Sequence, residues 1–195
     1  MVTIIGLGNP GKEYERTRHN SGRDTVALFA KKISAQGGPA AGWEFNKKAA
    51  ALITEGKIGK TKIVAALPET FMNKSGSAIA KLVRPRKELK DLVVIHDDID
   101  IPIGRMKISY GKNSGGHKGV ESVMRALKTK NFVRIRIGIC PKRKPPTEKD
   151  ILKFIIGKFA PAEQILIKKT QKRIIDALEV IAAFSLERAM SEFNK

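Results

Sequence analysis

Leu92-Val93-Val94-Ile95-His96-Asp97-Asp98 opens with four apolar residues in succession and ends in a polar triplet, with Asp91 in front. A continuous apolar run bounded by acids is the pattern of a strand buried on both faces, as in sheets covered by helices on either side. Upstream, Val2 to Gly6 is a short β-branched run ended by glycines, and Asp24 to Ile33 places Val26, Ala27, Phe29, Ala30 and Ile33 at helical spacing. Ala49 to Ile53 and Thr61 to Leu67 read as two strands of a hairpin, with Gly56 and Gly59 between them. Thr70 to Arg84 reads as a helix with Pro85 beyond its end. Downstream, Met106, Ile108 and Tyr110 alternate with polar residues, Val120 to Leu127 is a short amphipathic helix, and Val133 to Ile139 alternates again. After a charged, Pro-rich connector from Lys142 to Pro146, Asp150 to Ile156 and Ala162 to Phe193 read as closing helices. This order predicts an α/β fold, a mixed twisted sheet with helices on both faces, formed by residues 1–195 as one domain.

Composition narrows the class of function. The 195 residues include 42% hydrophobic ones, enough for a core, and 38 Lys and Arg against 19 Asp and Glu leave a net charge of +19. Such a field attracts polyanions, with nucleic acid first and acidic membrane second. The lone Cys140 excludes an intrachain disulfide framework and fits a reducing cytosol. No segment approaches the ~20 apolar residues of a membrane span. Met1-Val2-Thr3-Ile4-Ile5 lacks the basic start of a secretory leader, so a cytoplasmic protein is expected.

If the first, third and fourth of these strands run parallel, Asn9, the segment Phe71-Met72-Asn73 and His96-Asp97-Asp98 lie past neighbouring carboxyl ends, where open α/β sheets place their ligand crevice. His19 joins them, because Asn20 or Ser21 is the natural N-cap of the first helix. By itself His19 reads equally as a capping histidine. Asp97 tips the balance, since a carboxylate at the end of a buried strand needs a partner, and beside an imidazole it fixes the tautomer and keeps the ring basic enough to take a proton from water. Asp97, Asp98 and Asp100 with His96 and His117 also suggest a metal site. Strand neighbours point to opposite faces, so His96 and Asp97 do not share an ion easily and no metal is expected. Gly6-Leu7-Gly8-Asn9-Pro10-Gly11 matches a dinucleotide fingerprint, but Lys12 to His19 has no helical periodicity and no ribose-binding acid follows, so no such cofactor is expected. Gly115-Gly116-His117-Lys118-Gly119 precedes a helix and offers backbone N–H groups to a phosphate or a reacting carbonyl. Lys107, Lys112, Lys118, Arg134 and Arg136 surround it.

Four stretches in this order, Gly6 to Gly22, Thr70 to Gly76, His96 to Gly104 and Gly115 to Gly119, resemble the bacterial peptidyl-tRNA hydrolases along essentially the whole chain. The resemblance implies hydrolysis of the ester joining a peptide to the 3′ ribose of tRNA, by a metal-free, cofactor-free monomer whose partner is peptidyl-tRNA. It implies His19 as general base and Asp97 as the group stabilising its proton-accepting form. Asn9 would read the peptide, Tyr14, Phe71, Met72 and Asn73 would line the site with His117 and Lys118, and Arg136 would hold an acceptor-end phosphate. Two positions depart from the family pattern: Lys118 stands where asparagine is usual, and Ser109 where some members carry a second phosphate-binding lysine, leaving that task to Lys107 or Lys112. The alternative is a non-catalytic RNA-binding protein on the same scaffold. Ester hydrolysis needs an activated water and donors for the oxyanion. His19 with Asp97 supplies the first, and Asn73 or backbone N–H groups the second.

Overall fold

The computed structural model describes residues 1–35, 42–84, 86–141 and 143–194. Pro85, expected beyond a helix end, and Lys142, expected to open a connector, lie outside them. The elements are β1 (Val2–Gly6), α1 (Ser21–Ala35), β2 (Glu44–Asn46), β3 (Ala51–Ile58), β4 (Thr61–Pro68), α2 (Ser75–Leu82), β5 (Leu89–Pro102), β6 (Met106–Tyr110), α3 (Lys118–Leu127), β7 (Phe132–Cys140), α4 (Glu148–Ile155), α5 (Pro161–Ala183) and α6 (Leu186–Phe193). Single 3-10 turns cover Lys12–Tyr14, Arg18–Asn20 and Met72–Lys74.

The strands form one seven-stranded sheet in the order β2-β3-β4-β1-β5-β7-β6. β4, β1, β5 and β7 are parallel, whereas β2, β3 and β6 join antiparallel at the two edges, so the sheet is mixed as expected. Side chains alternate across it. Ile4, Val93 and Ile95 face a core closed by Phe29 of α1 and by Ile174 and Ala189 of α5 and α6. Ile5, Leu92 and Val94 face a second core closed by Ile79 of α2 and Val123 of α3. Each such fully buried side chain is worth roughly 1.5–3 kcal/mol, which is why the apolar run of β5 anchors the sheet's middle.

Several boundaries differ from expectation. The hairpin turns at Gly59 and Lys60, because β3 runs on to Ile58 opposite Thr61. Gly56 is therefore inside the strand, where a Cβ would lie 3.0 Å from the Ile33 Cβ of α1, so its bareness lets helix and sheet approach. The helix expected from Thr70 begins only at Ser75, after the 3-10 turn. The long C-terminal helix breaks at Phe184, and Ser185 recaps the chain by accepting the Arg188 N–H at 3.1 Å. β2, three exposed edge residues with no periodicity, was not legible.

The functionally important difference is the length of β5, which continues through His96, Asp97 and Asp98 to Pro102 instead of stopping at Ile95. β1 ends at Gly6, opposite Ile95, while β7 stays paired to Asp98 and, past a shift of register, to Pro102. Past Ile95, β5 has a strand neighbour on one side only, and a crevice opens on the other.

Candidate active site

The chain leaving β1 fills that crevice. Leu7 N–H donates to Ile95 C=O, and Arg23 N–H to Leu7 C=O, so the start of α1 is tied to the carboxyl ends of β1 and β5. A Cβ on Gly22 would lie 2.3 Å from Ile95 C=O; only glycine lets α1 begin so close to β5. This closeness sets the preceding turn, with His19, over Asp97.

His19 Nδ1 lies 2.9 and 3.0 Å from the two Asp97 carboxylate oxygens, and the two residues are only 9% and 3% exposed. His117 reaches the same carboxylate from the loop before α3, its Nε2 3.0 Å from Asp97 Oδ1. Its Nδ1 accepts the Val120 N–H and caps α3, so Nε2 carries the proton and donates. Asp97 thus sits between two imidazoles. Burial alone raises a carboxyl pKa, but the charges of His19 and His117 and their hydrogen bonds prevail and hold it well below the usual carboxylate range. Burial lowers the pKa of His19, yet the Asp97 charge and hydrogen bond more than offset this, so the ring is raised above its ordinary value. An ionised Asp97 accepts, so His19 Nδ1 donates and Nε2 holds the free lone pair.

His96 lies apart. It is fully buried, with Nδ1 donating to the Asp97 backbone carbonyl at 2.7 Å, and burial together with the neighbouring His117 pushes its pKa well down. It therefore does not join His19, Asp97 and His117, whose ligand atoms all fall within 4.8 Å of one another, a spacing a transition metal also uses. The mutual hydrogen bonds of these three groups account for that spacing.

A cavity of about 310 Å³ opens beside the pair. Its walls are His19, Asp97, Asp98, the loop Ser114 to Lys118, and Glu148, Ile151, Leu152 and Ile155 of α4. Lys118 belongs to this wall. Asn9, Tyr14, Phe71 and Asn73 lie outside this lining. Asn20 clamps Asn9, its Oδ1 accepting the Asn9 N–H at 2.8 Å and its Nδ2 donating to the Asn9 C=O at 2.9 Å. Asn20 is thus a brace for Asn9 rather than the helix cap expected, a role that spacing gave no means to find. Asn9 Oδ1 accepts the Met72 N–H at 2.8 Å, so its side-chain NH₂ is what it has left for a ligand. Tyr14 and Phe71 meet edge to face at 6.3 Å, with Phe71 55% exposed, and Asn73 is exposed.

Three expectations need correction. Met72 does not line the site with its side chain, which is buried in the second core against Leu7 and Gly119; its contribution is the backbone N–H to Asn9. Arg134 is 2% exposed, its Nη1 donating to Asn113 C=O, because it lies further back along β7 against the segment between β6 and α3. Ser109, its cross-strand partner, is buried too. Arg136 remains half-buried, with Nε 2.7 Å from Asp98 Oδ2, and the residue opposite it is the exposed Lys107. Register therefore pairs Lys107, not Lys112, with Arg136.

A buried acid orienting a histidine beside a cavity is an arrangement able to activate water by general-base catalysis, the class of a hydrolase. Residues 3–195 match the family model described as peptidyl-tRNA hydrolase, and the chain belongs to that family. It is 36% identical to the peptidyl-tRNA hydrolase of Aquifex aeolicus, over 98% of this chain and 95% of that one. It is 37% identical to that of Thermodesulfovibrio yellowstonii over the full length of both. The crystal structure of peptidyl-tRNA hydrolase from Acinetobacter baumannii superimposes with a TM-score of 0.87 at 27% identity, covering all of this chain and 94% of that one.

Proposed function

We propose that this protein hydrolyses the ester between a peptide, or an N-blocked aminoacyl group, and the 3′ ribose of tRNA, recycling tRNA from stalled translation, and that it does so as a cytoplasmic monomer. The observation that carries the mechanism is the contact of His19 Nδ1 with both Asp97 oxygens, which leaves Nε2 as the base. His19 Nε2 takes a proton from water as the oxygen attacks the ester carbonyl. Asp97 stabilises the imidazolium that forms, and His117 holds Asp97 in place from its other side. Asn73 and backbone N–H groups of the Gly115 to Gly119 loop are the donors for the oxyanion. Collapse breaks the acyl–oxygen bond, and the ribose 3′ oxygen leaves with the proton held by His19. No covalent nucleophile is needed; Cys140 ends β7, opposite Pro102, its Sγ directed to Pro141 C=O at 3.3 Å.

Asn9 offers its NH₂ to the peptide, Tyr14 and Phe71 are rings for the unstacked 3′ end, and Arg136 with Lys107 holds a phosphate. A binder without chemistry has no use for an ionised carboxylate buried between two imidazoles, which weighs against the RNA-binding alternative. Among the described residues no helix is long and apolar enough to cross a membrane. The test is release of free tRNA from an N-acetylated aminoacyl-tRNA, with and without chelator. Turnover should survive chelation and be abolished by His19→Ala, with tRNA affinity kept within a few-fold. Near-normal turnover in His19→Ala overturns the assignment, and light scattering checks the monomer.

A further inference from the structure

The residue in front of the base is as firmly held as the base itself, and by a different part of the molecule. Arg18 is 9% exposed, and its Nη2 pairs with Glu163 Oε2 of α5 at 2.7 Å. Nη1 donates to Phe154 C=O of α4 at 3.3 Å, and the guanidinium lies 4.1 Å from the centre of the Phe154 ring and 5.2 Å from that of Phe159. Its backbone N–H donates to Gly157 C=O at 3.0 Å, next to an antiparallel bridge between Thr17 and Lys158. Glu163 Oε2 also accepts the Ala160 N–H at 2.8 Å, fixing the start of α5. One side chain thus joins the His19 turn to the α4–α5 corner.

Nothing in the chemistry of water activation requires this. α4 buries no residue completely, yet it supplies one wall of the cavity that His19 faces. A short helix so lightly seated takes its position from a few contacts, and the Arg18 stack on Phe154 is one of them.

We propose that Arg18 is a positioning residue which sets the orientation of His19 and the seat of α4 together, so that the substrate wall and the base move as one unit. Arginine is required because its planar fork engages Glu163 and the Phe154 carbonyl while its face stacks on Phe154; a lysine keeps the charge and loses both the fork and the stack. This rests on His19 being the base.

The experiment compares Arg18→Lys and Glu163→Gln with the unaltered protein on N-acetyl aminoacyl-tRNA. In Arg18→Lys, kcat should fall roughly tenfold or more with KM within about threefold, the pattern of a reaction that is bound normally but misaligned. The acidic limb of the pH profile should also move to lower pH, because a ring that slips from Asp97 loses what raised its pKa. The other groups facing His19, namely Asp98, His117, Lys118, Lys144 and Glu148, are unchanged in both variants. Glu163→Gln, at a partly exposed position, should show the same two effects in smaller measure and keeps the test alive if Arg18→Lys does not fold. Wild-type kcat and an unmoved limb in both variants overturn the proposal. So does a loss of kcat with an unmoved limb, since that is what a smaller folded fraction produces. Titration of the His19 ring resonances by NMR separates this from the assignment of the base: if His19→Ala retains turnover the assignment fails, whereas a shifted His19 titration in Arg18→Lys still shows Arg18 acting on the ring.

Discussion

His19 and Asp97 are displaced in opposite pKa directions, the ring by Asp97 and the carboxyl by His19 together with His117, and the direction of each predicts a pH response. Activity requires neutral His19, and the Asp97 contact raises the ring's pKa, so the acidic limb of kcat/KM should lie above the ordinary histidine value. Asp97→Asn removes the charge that raises it. The limb should then move to lower pH while the plateau falls, by less than in His19→Ala, because the ring is still present but less basic and less well oriented. Kinetics from about pH 5 to 9 reads both effects; a plateau and limb like the wild type would remove Asp97 from the mechanism. The same pair couples to stability. Asp97 is held below its unfolded pKa, so its contribution to stability is present above that unfolded value and lost as pH falls toward the folded one. Acid unfolding of Asp97→Asn should accordingly be less steep. The pairing of His19 with Asp97 was legible from chemistry, since each residue alone was costly or idle. The second imidazole on Asp97 was not: His117 was readable as part of a glycine-rich loop, as a candidate metal ligand and as a lining residue, but not as a hydrogen-bond partner of Asp97, because the loop's path decides where its ring goes.

Lys118 shows how an element constrains a site residue. It is the first residue of α3, after the His117 N-cap, and a cation there opposes the helix dipole, typically at a cost of about 0.3–1 kcal/mol. The lysine is exposed and lines the cavity, where its charge would meet an anionic substrate. Lys118→Asn should leave thermal stability unchanged or raised by up to about 1 kcal/mol, while lowering tRNA affinity at low salt and altering kcat. Kinetics at two salt concentrations together with a melting curve checks this. Unchanged kinetics would make Lys118 an ordinary surface residue. Secondary structure itself was legible wherever apolar periodicity ran for several residues, as in β1, α1, α3 and β7. It failed where a polar side chain competes with the pattern. His96-Asp97-Asp98 looks like the end of a strand, yet pairing with β7 carries β5 on; Ser185 interrupts an otherwise helical run because its hydroxyl caps a new helix.

Taken whole, the molecule carries the proposed base and its acid under cover and its positive charge outside, so binding and chemistry should respond to different variables. Strand order makes this separation. β1 ends at the crevice that holds His19, β5 carries Asp97 past that end, and the edge pair β6 and β7 presents Lys107 opposite Arg136. That opposition is invisible in a linear chain, where Lys107 and Lys112 were equal candidates. A net charge of +19 predicts that affinity for tRNA comes mainly from counterion release and falls linearly in log–log form with salt. The slope should be about −0.7 to −0.9 per phosphate neutralised, so about three to five contacts imply roughly a tenfold or greater loss between low and moderate salt. Arg136→Ala and Lys107→Ala should each weaken binding and reduce the slope by about one contact, whereas Lys112→Ala should do less. None of the three should much change turnover of a minimal N-acetyl aminoacyl ester that lacks the tRNA body, since the base and its acid are untouched. Arg136 carries one complication, its 2.7 Å contact with Asp98, so its loss also frees a carboxylate near Asp97. Lys107→Ala, with no acid partner among the described residues to release, gives the cleaner slope. A slope near zero in the unaltered protein would mean that charge does not hold the substrate and would point to a small-molecule ester in place of tRNA.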